Sequence, residues 1–262
     1  MYMTLTKYWK TASMAATGYI SESPLFLFDY LIRLLRVLVL LALWHMILDQ
    51  RPDASMSLTA VLTYTLIANV FDSQLNPRTN LDSAIWDGAI IGHMLQPLNI
   101  FGQFIADMLG KWLFELCMFS LPLLLLAPLL GVQPWPVDAQ AGVLFCISLT
   151  LGISVGLALE FMFATLLVIL QLPLWAMLQM RAALITLLSG ALLPLALLPP
   201  TVAAVFAWLP FASMASAPLQ IYIGMGNSTT LLLAQIIWVL LLWPLAIWLW
   251  HVGRERMLSY GG

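Results

Sequence analysis

Six long apolar runs, separated by shorter stretches rich in proline, glycine and polar residues, set the pattern of this chain. They cover about Tyr30–Leu48, Leu58–Leu75, Asn99–Leu130, Gly142–Leu172, Ala182–Leu198 and Leu231–Trp250. Each is near or above the roughly 20 residues an α-helix needs to cross a bilayer. The breaks between them carry turn chemistry. Asp49-Gln-Arg-Pro-Asp-Ala-Ser ends the first run, Gly131-Val-Gln-Pro-Trp-Pro reads as a rigid turn, and Gln171-Leu-Pro ends the fourth, with Arg181 marking the boundary before the fifth. The pattern predicts an all-α polytopic membrane protein: one transmembrane domain over residues 1–262 with six transmembrane helices.

Two connectors are more than turns. The stretch Asn76–Phe101 is far longer than a reversal of direction requires. Leu81, Ile85 and Ala89, then after a step Gly92 and Leu95, recur at spacings of three and four, so they fall on one helical stripe. Trp86, Asp87 and His93 face elsewhere, and Gln96-Pro97 turns the chain into the third run. An interfacial helix and a docking knob for a soluble partner both fit this pattern. The segment 199–230 is too apolar for a free loop, and Pro199, Pro200, Pro210 and Pro218 cut it into pieces shorter than a span. It reads as one or two short helices re-entering the outer leaflet against protein, since lipid does not accept unpaired backbone.

Other positions stand out inside the runs. Asp107, Lys111 and Glu115 lie four apart near the start of the third run, where Asp before Lys can pair along the helix. Pro122 and Pro128 bend its second half. Ser148, Gly152, Gly156, Glu160 and Ala164 recur every four residues in the fourth run, a small-residue seam that lets helices approach closely. Glu160 is the exception in that seam, because an ionisable group in a span is costly and faces protein or water. Lys111 or Arg181 could neutralise it, and both a structural ion pair and a substrate contact fit.

Composition agrees with the pattern: 62% of residues are hydrophobic and 8% charged, against roughly a quarter charged in soluble domains. There is no room for a soluble catalytic domain. Residues 1–24 mix polar and apolar positions, with Lys7, Tyr8, Trp9, Lys10 and Tyr19, which suits an amphipathic N-terminal segment in the membrane interface and not a cleavable signal peptide. The net charge of −2 matters less than where the charges lie. With the N-terminus inside, Lys7, Lys10, Arg33, Arg36, Arg78, Lys111, Arg181, Arg254 and Arg256 all fall at or near the inner face, and Arg51 falls outside. Basic residues favour the cytoplasmic side, so both termini are expected in the cytoplasm of a cell whose inner (plasma) membrane holds the chain. Cys117 and Cys146 lie inside apolar runs and read as small buried side chains, with no metal-ligand spacing. No internal repeat of the kind that marks inverted-repeat transporters is present.

Catalytic motifs are few. No nucleotide-binding Gly-x-x-x-x-Gly-Lys-Ser/Thr loop and no His-Glu-x-x-His occurs. Gly152-Ile-Ser-Val-Gly156 matches the letters of a nucleophile elbow, but that motif needs a strand-to-helix turn and these residues lie mid-helix. Counting helical rise places Ser154 and His251 roughly 15 Å apart in depth, too far for a dyad. Asn227-Ser-Thr has the form of a glycosylation sequon, and a match this short carries no argument by itself.

Two stretches carry a family resemblance. Ile85-Trp-Asp-Gly-Ala-Ile-Ile-Gly-His-Met-Leu-Gln-Pro-Leu-Asn resembles the first cytoplasmic loop of ABC-2 type permeases, with Gly88, Leu95, Pro97 and Leu98 matching. Gln96 departs from it, since many relatives have a basic residue before the proline. Ser189-Gly-Ala-Leu-Leu-Pro-Leu, Leu209-Pro-Phe and Ala217-Pro-Leu-Gln-Ile-Tyr-Ile-Gly are similar to the fifth-to-sixth span region of that family, with Gly190, Pro194, Pro210, Phe211, Pro218 and Gly224 matching.

The resemblance implies the membrane subunit of an ABC exporter, paired with a second membrane subunit, identical or not. A separate ABC ATPase chain would bind ATP and Mg, leaving this chain without a cofactor or catalytic site of its own. The loop 76–98 would then be the coupling helix, with Trp86 as anchor. Asp87 and His93 would set register, Pro97 would set the angle, and Gly88, Leu95 and Gln96 would complete the contact. The second and fifth spans would line the substrate path, through Tyr64, Asn69, Thr186 and Ser189, with 199–230 as an outer lid. A mostly apolar path suits an amphipathic or lipid-like cargo such as a peptide, drug or glycolipid, exported rather than imported. Membrane lipid surrounds the chain and nothing points to nucleic acid. The rivals are a polytopic membrane enzyme acting on lipid and a scaffold or insertase that needs no ATPase.

Overall fold

Among the described residues four helices are long and apolar enough to cross a membrane, within Tyr30–Asp49, Ile100–Leu130, Ala139–Ile169 and Ser228–Arg256. Two shorter apolar helices, Leu58–Val70 and Leu174–Leu188, accompany them. The computed structural model describes residues 7–14, 26–49 and 55–260. Arg51, Tyr19 and most of the N-terminal segment lie outside them, so the expectations placed there are not reached. Among the described residues every regular element is helical.

In chain order, α1 is the short helix over residues 7–14, α2 is Phe26–Asp49, α3 Leu58–Val70, α4 Asp72–Leu75, α5 Leu81–Trp86, α6 Ile90–Met94 and α7 Ile100–Glu115. A π-turn over Leu116–Ser120 leads into α8, Leu121–Leu126, and a 3-10 turn over Ala127–Leu130 closes the third apolar run. Then come α9, Ala139–Ile169; α10, Leu174–Leu188; α11, Pro200–Ala207; α12, Pro210–Met214; α13, Ser216–Tyr222; and α14, Ser228–Tyr260. Side-chain caps start several of these helices, and Asn227 caps α14 by accepting from the Thr229 and Thr230 N–H groups. Ser57, Asn99 and Asp138 each accept a hydrogen bond from a backbone N–H in the first turn, Ala60, Gly102 and Ala141 respectively. Pro122 lies in the first turn of α8, directly after the π-turn, and Pro128 lies in the 3-10 turn, which ends at Gly131 with φ 71°. Prolines remove donors from the ladder, and altered helical geometry re-satisfies the freed carbonyls.

Helix α9 is the hub. Its apolar window is 44% buried, against 17–22% for the other three long helices, so α9 is the most enclosed of the four. Helix α14 lies along it, and α5, α12 and α13 also pack on it. One core cluster joins α2, α3, α8 and α13, a second joins α9, α10 and α14, and a third joins α5, α6, α7 and α9 with Trp250. The segment 199–230 folds as three short helices, and residues 212–219 are all buried. Tyr222 donates its hydroxyl hydrogen to Pro134 O, and the Val137 N–H donates to Tyr222 O at 3.3 Å, which ties this segment to the turn before α9.

At Gly152 and Gly156 the small-residue seam on α9 receives short segments and not a spanning helix. A side chain at Gly152 would strike the Met214 carbonyl of α12, and one at Gly156 would strike both Pro77 and Met214. The loop after α4 and the short helices after α11 therefore meet at one point on α9. Gln235, fully buried on α14, locks the same region: its side chain bonds Ser148 Oγ at 2.8 Å, Ser148 O at 2.9 Å and Ser213 O at 2.8 Å.

The fifth apolar run departs from expectation. Its helix, α10, spans Leu174–Leu188 rather than starting after Arg181, and Gly190, with φ +77°, turns the chain out of it. Arg181 is not a boundary residue; it lies mid-helix and buried. A cation is tolerated there because its partner is on α9, as described below.

Gly156→Leu should lower the melting temperature in detergent, since overpacking a filled site costs about 1–3 kcal/mol. Gly92→Leu, where a new side chain meets nothing within 4 Å, should leave it unchanged. Thermal unfolding followed by fluorescence checks both.

Candidate functional site

After α4 the chain turns inward, not outward. Pro77 rests against Gly156, thirteen residues or about 20 Å of helix from the end of α9. One turn further along α9, Glu160 closes on the same loop. Its Oε1 accepts the Thr79 N–H at 3.0 Å and the Thr79 hydroxyl at 3.4 Å. Its Oε2 lies 2.8 Å from Arg181 Nε, with the N–H aimed off the line, so the contact is ionic rather than an aligned hydrogen bond. Arg181 Nη2 donates to Pro77 O at 2.7 Å and to Asn76 Oδ1 at 3.1 Å. Both charged side chains are 2% exposed. Two buried charges of opposite sign, Glu160 hydrogen-bonded to Thr79 and Arg181 to Asn76 and Pro77 of one loop, make α9, α10 and that loop one unit. Thr79 was not singled out in the sequence; nothing in its neighbours marks it as the residue facing Glu160.

Beyond this clamp the connector forms two helices where one continuous stripe was expected. Gly88, at φ +74°, breaks it between α5 and α6. Leu81 and Ile90 are buried, Ile85 is half-buried, and Ala89, Gly92 and Leu95 are exposed. A single stripe therefore does not form: its first part packs on the bundle and its last part faces outward. The tip shows Trp86 at 53%, Ile91 at 63% and Leu95 at 82% exposure, flanked by exposed Asp87, Gly88, Gln96 and Pro97. His93 instead faces inward. Its Nδ1 is 2.9 Å from Gln103 Oε1, and the Gln103 amide donates to His93 O and Leu98 O at 3.2 and 3.1 Å. Gln103, 3% exposed on α7, thus fixes the elbow between α6 and α7. A lone glutamine opening an apolar run was the available signal for it.

The carboxylates of α7 divide their work. Asp107 pairs with Lys111 at 2.8 Å along the helix, so Lys111 is not the partner of Glu160. Glu115 pairs with Arg33 of α2 at 3.0 Å and accepts the Ser73 hydroxyl hydrogen. Arg33 also lies 5.3 Å from the centre of the Phe119 ring.

Asn69, Thr186 and Ser189 come together on one cavity of about 220 Å³ between α2, α3–α4 and α10. Tyr64 does not join them: it is buried, and its hydroxyl donates to Gly190 O at 2.7 Å. Ser154 accepts a hydrogen bond from the Trp243 indole at 2.9 Å, and His251 is exposed.

A bundle of apolar helices longer than a bilayer is thick, with one connector presenting an exposed apolar tip, defines a polytopic membrane protein. Residues 29–261 match the family model described as ABC-2 family transporter protein, and the chain belongs to this family. Permeases of that family generally work with an ABC ATPase. No curated protein and no solved structure matches the chain.

Glu160→Ala should destabilise the protein by about 3–5 kcal/mol, because it leaves Arg181 buried without its counter-charge. Glu160→Gln keeps an acceptor for the Thr79 N–H and should cost less. Replacing both Glu160 and Arg181 by Leu should recover most of the loss, read as melting temperature and as yield of monodisperse protein.

Proposed function

We propose that this chain is the membrane subunit of an ATP-driven exporter, moving an amphipathic or lipid-like cargo such as a peptide, drug or glycolipid. Energy comes from a separate ATPase chain that holds ATP and Mg, and two membrane subunits enclose the path. Six segments cross the inner (plasma) membrane: α2, α3 with α4, α7 with α8, α9, α10 and α14. Both termini and the connector 76–98 face the cytoplasm.

The observation that carries this reading is the form of the connector. Its base is clamped inside the bundle, its elbow is fixed by Gln103, and its tip leaves Trp86, Ile91 and Leu95 in the open. Apolar side chains standing out on a rigid base suit a contact that transmits force. Trp86 is the anchor, with Asp87 beside it for register, while His93 positions the elbow from within. The cavity bordered by Asn69, Thr186 and Ser189 supports a path beside α3 and α10. Co-purification with a nucleotide-binding chain separates this reading from a membrane enzyme and from a scaffold that uses no ATP.

Trp86→Ala should weaken the contact by about 2 kcal/mol or more, as buried aromatic anchors do. In a reconstituted complex the ATPase activity above the basal rate of the isolated ATPase should fall steeply. The melting temperature of the membrane subunit should hold, because Trp86 is half exposed. Unchanged coupling would refute the assignment.

A further inference from the structure

The cavity between α2, α3–α4 and α10 has two different walls. Arg36 of α2 and Arg78 of the loop border it with Asn69 and Asn76, and Leu40, Ile185 and Leu192 line the remainder. Among the described residues neither guanidinium is within ion-pair distance of a carboxylate, whereas Arg33 is paired with Glu115 and Arg181 with Glu160. Asp72 stands on the same rim and feels both arginines electrostatically. Two cations against one carboxylate leave the rim with a net charge of +1. Arg36 alone is explained as a long side chain reaching for lipid headgroups. Arg78 is not, because it comes from a different segment and borders the same cavity.

Size narrows the ligand. Pockets that enclose a whole drug-sized molecule measure roughly 300–1,000 Å³. About 220 Å³ holds a head group and a few methylenes, so the rest of the ligand lies outside, along apolar surface. We propose that Arg36 and Arg78 bind the anionic head, phosphate or carboxylate, of an amphipathic molecule whose tail leaves past Leu40 and Leu192. This deepens the transport reading above by naming the charge of the cargo, and it rests on that reading only for the step after binding. Guanidinium suits such a head because its planar donors match both oxyanions.

Native mass spectrometry of the full chain in neutral detergent, without ATPase or nucleotide, tests this separately from transport. Phosphatidylglycerol and phosphatidylcholine of equal chain length are the probes. The wild type should bind phosphatidylglycerol roughly tenfold or more tightly than phosphatidylcholine. Arg36→Gln with Arg78→Gln should bring the two close to parity, and Arg36→Lys with Arg78→Lys should restore much of the preference. Thr186→Trp, which fills the cavity from α10 without touching either charge, should also lower phosphatidylglycerol binding. Inorganic phosphate tells the sources apart. Displacement by phosphate shows that the head group suffices and that a soluble anion can serve; no displacement shows that the lipid tail is needed. Equal binding of the two lipids by the wild type, or a preference that survives in the double glutamine variant, overturns the proposal.

Discussion

The ion pair between Glu160 and Arg181 is the constraint on which the rest of this structure depends. Neither charge could sit 2% exposed in an apolar bundle alone, and the cost of burying both is offset by their attraction together with hydrogen bonds to further groups. Those groups are backbone and side-chain atoms of Asn76, Pro77 and Thr79. The loop after α4 is thus not a surface reversal. Its Pro77 and Thr79 are held inside the bundle, while Arg78, Asn80 and the tip at Trp86, Ile91 and Leu95 are exposed. The closeness of Pro77 to Gly156 follows from the same demand, since a side chain on that glycine would push the loop out of reach of Glu160.

Polar locks of the same kind recur at other junctions between segments. Gln235 joins α14, α9 and α12; Gln103 joins α6 to α7; Glu115 joins α7, α2 and α4. In lipid, apolar surface gains little by leaving its surroundings for another helix, so close packing and hydrogen bonds between helices carry much of the specificity. That is why a chain with only 8% charged residues places several of its charges on helix-to-helix contacts. It also explains the small residues on α9: glycine there gives room for short helices and a proline, which bring backbone carbonyls and donors close to the hub.

Hydropathy made the long helices legible, and turn chemistry located most of their ends. It misplaced α10 because a window scale treats any arginine as a boundary, whereas Arg181 is neutralised by a residue twenty-one positions earlier in the chain. The partner of Glu160 was open between Lys111 and Arg181 for a related reason. Asp107, one turn away, satisfies Lys111 locally, but no local rule tells a sequence reader which of two cations is already engaged. The connector was legible as a special segment, though not its division. A stripe at helical spacing continues smoothly on paper through Gly88, where a left-handed residue in fact ends one helix and re-aims the next. Of the four residues assigned to a path, three converge because they lie on neighbouring segments at similar depth. Tyr64 stands apart from this cavity, its hydroxyl bonded to Gly190 O.

The clamp and the cavity share parts, and this limits how either can change. Asn76 bonds Arg181 and borders the cavity, and α10 carries Arg181 and then, one to two turns on, Ile185, Thr186 and Ser189 of the cavity wall. Arg181 and Ser189, the residue that closes α10, lie roughly 12 Å apart along the helix axis. A shift of the connector base that keeps its hydrogen bonds therefore moves one wall of the cavity, while α2, tied to α7 through Arg33 and Glu115, holds the opposite wall. A shift that breaks those bonds strands two charges in a low-dielectric interior. The buried pair thus ties the connector base to α10, and through it to one wall of the cavity.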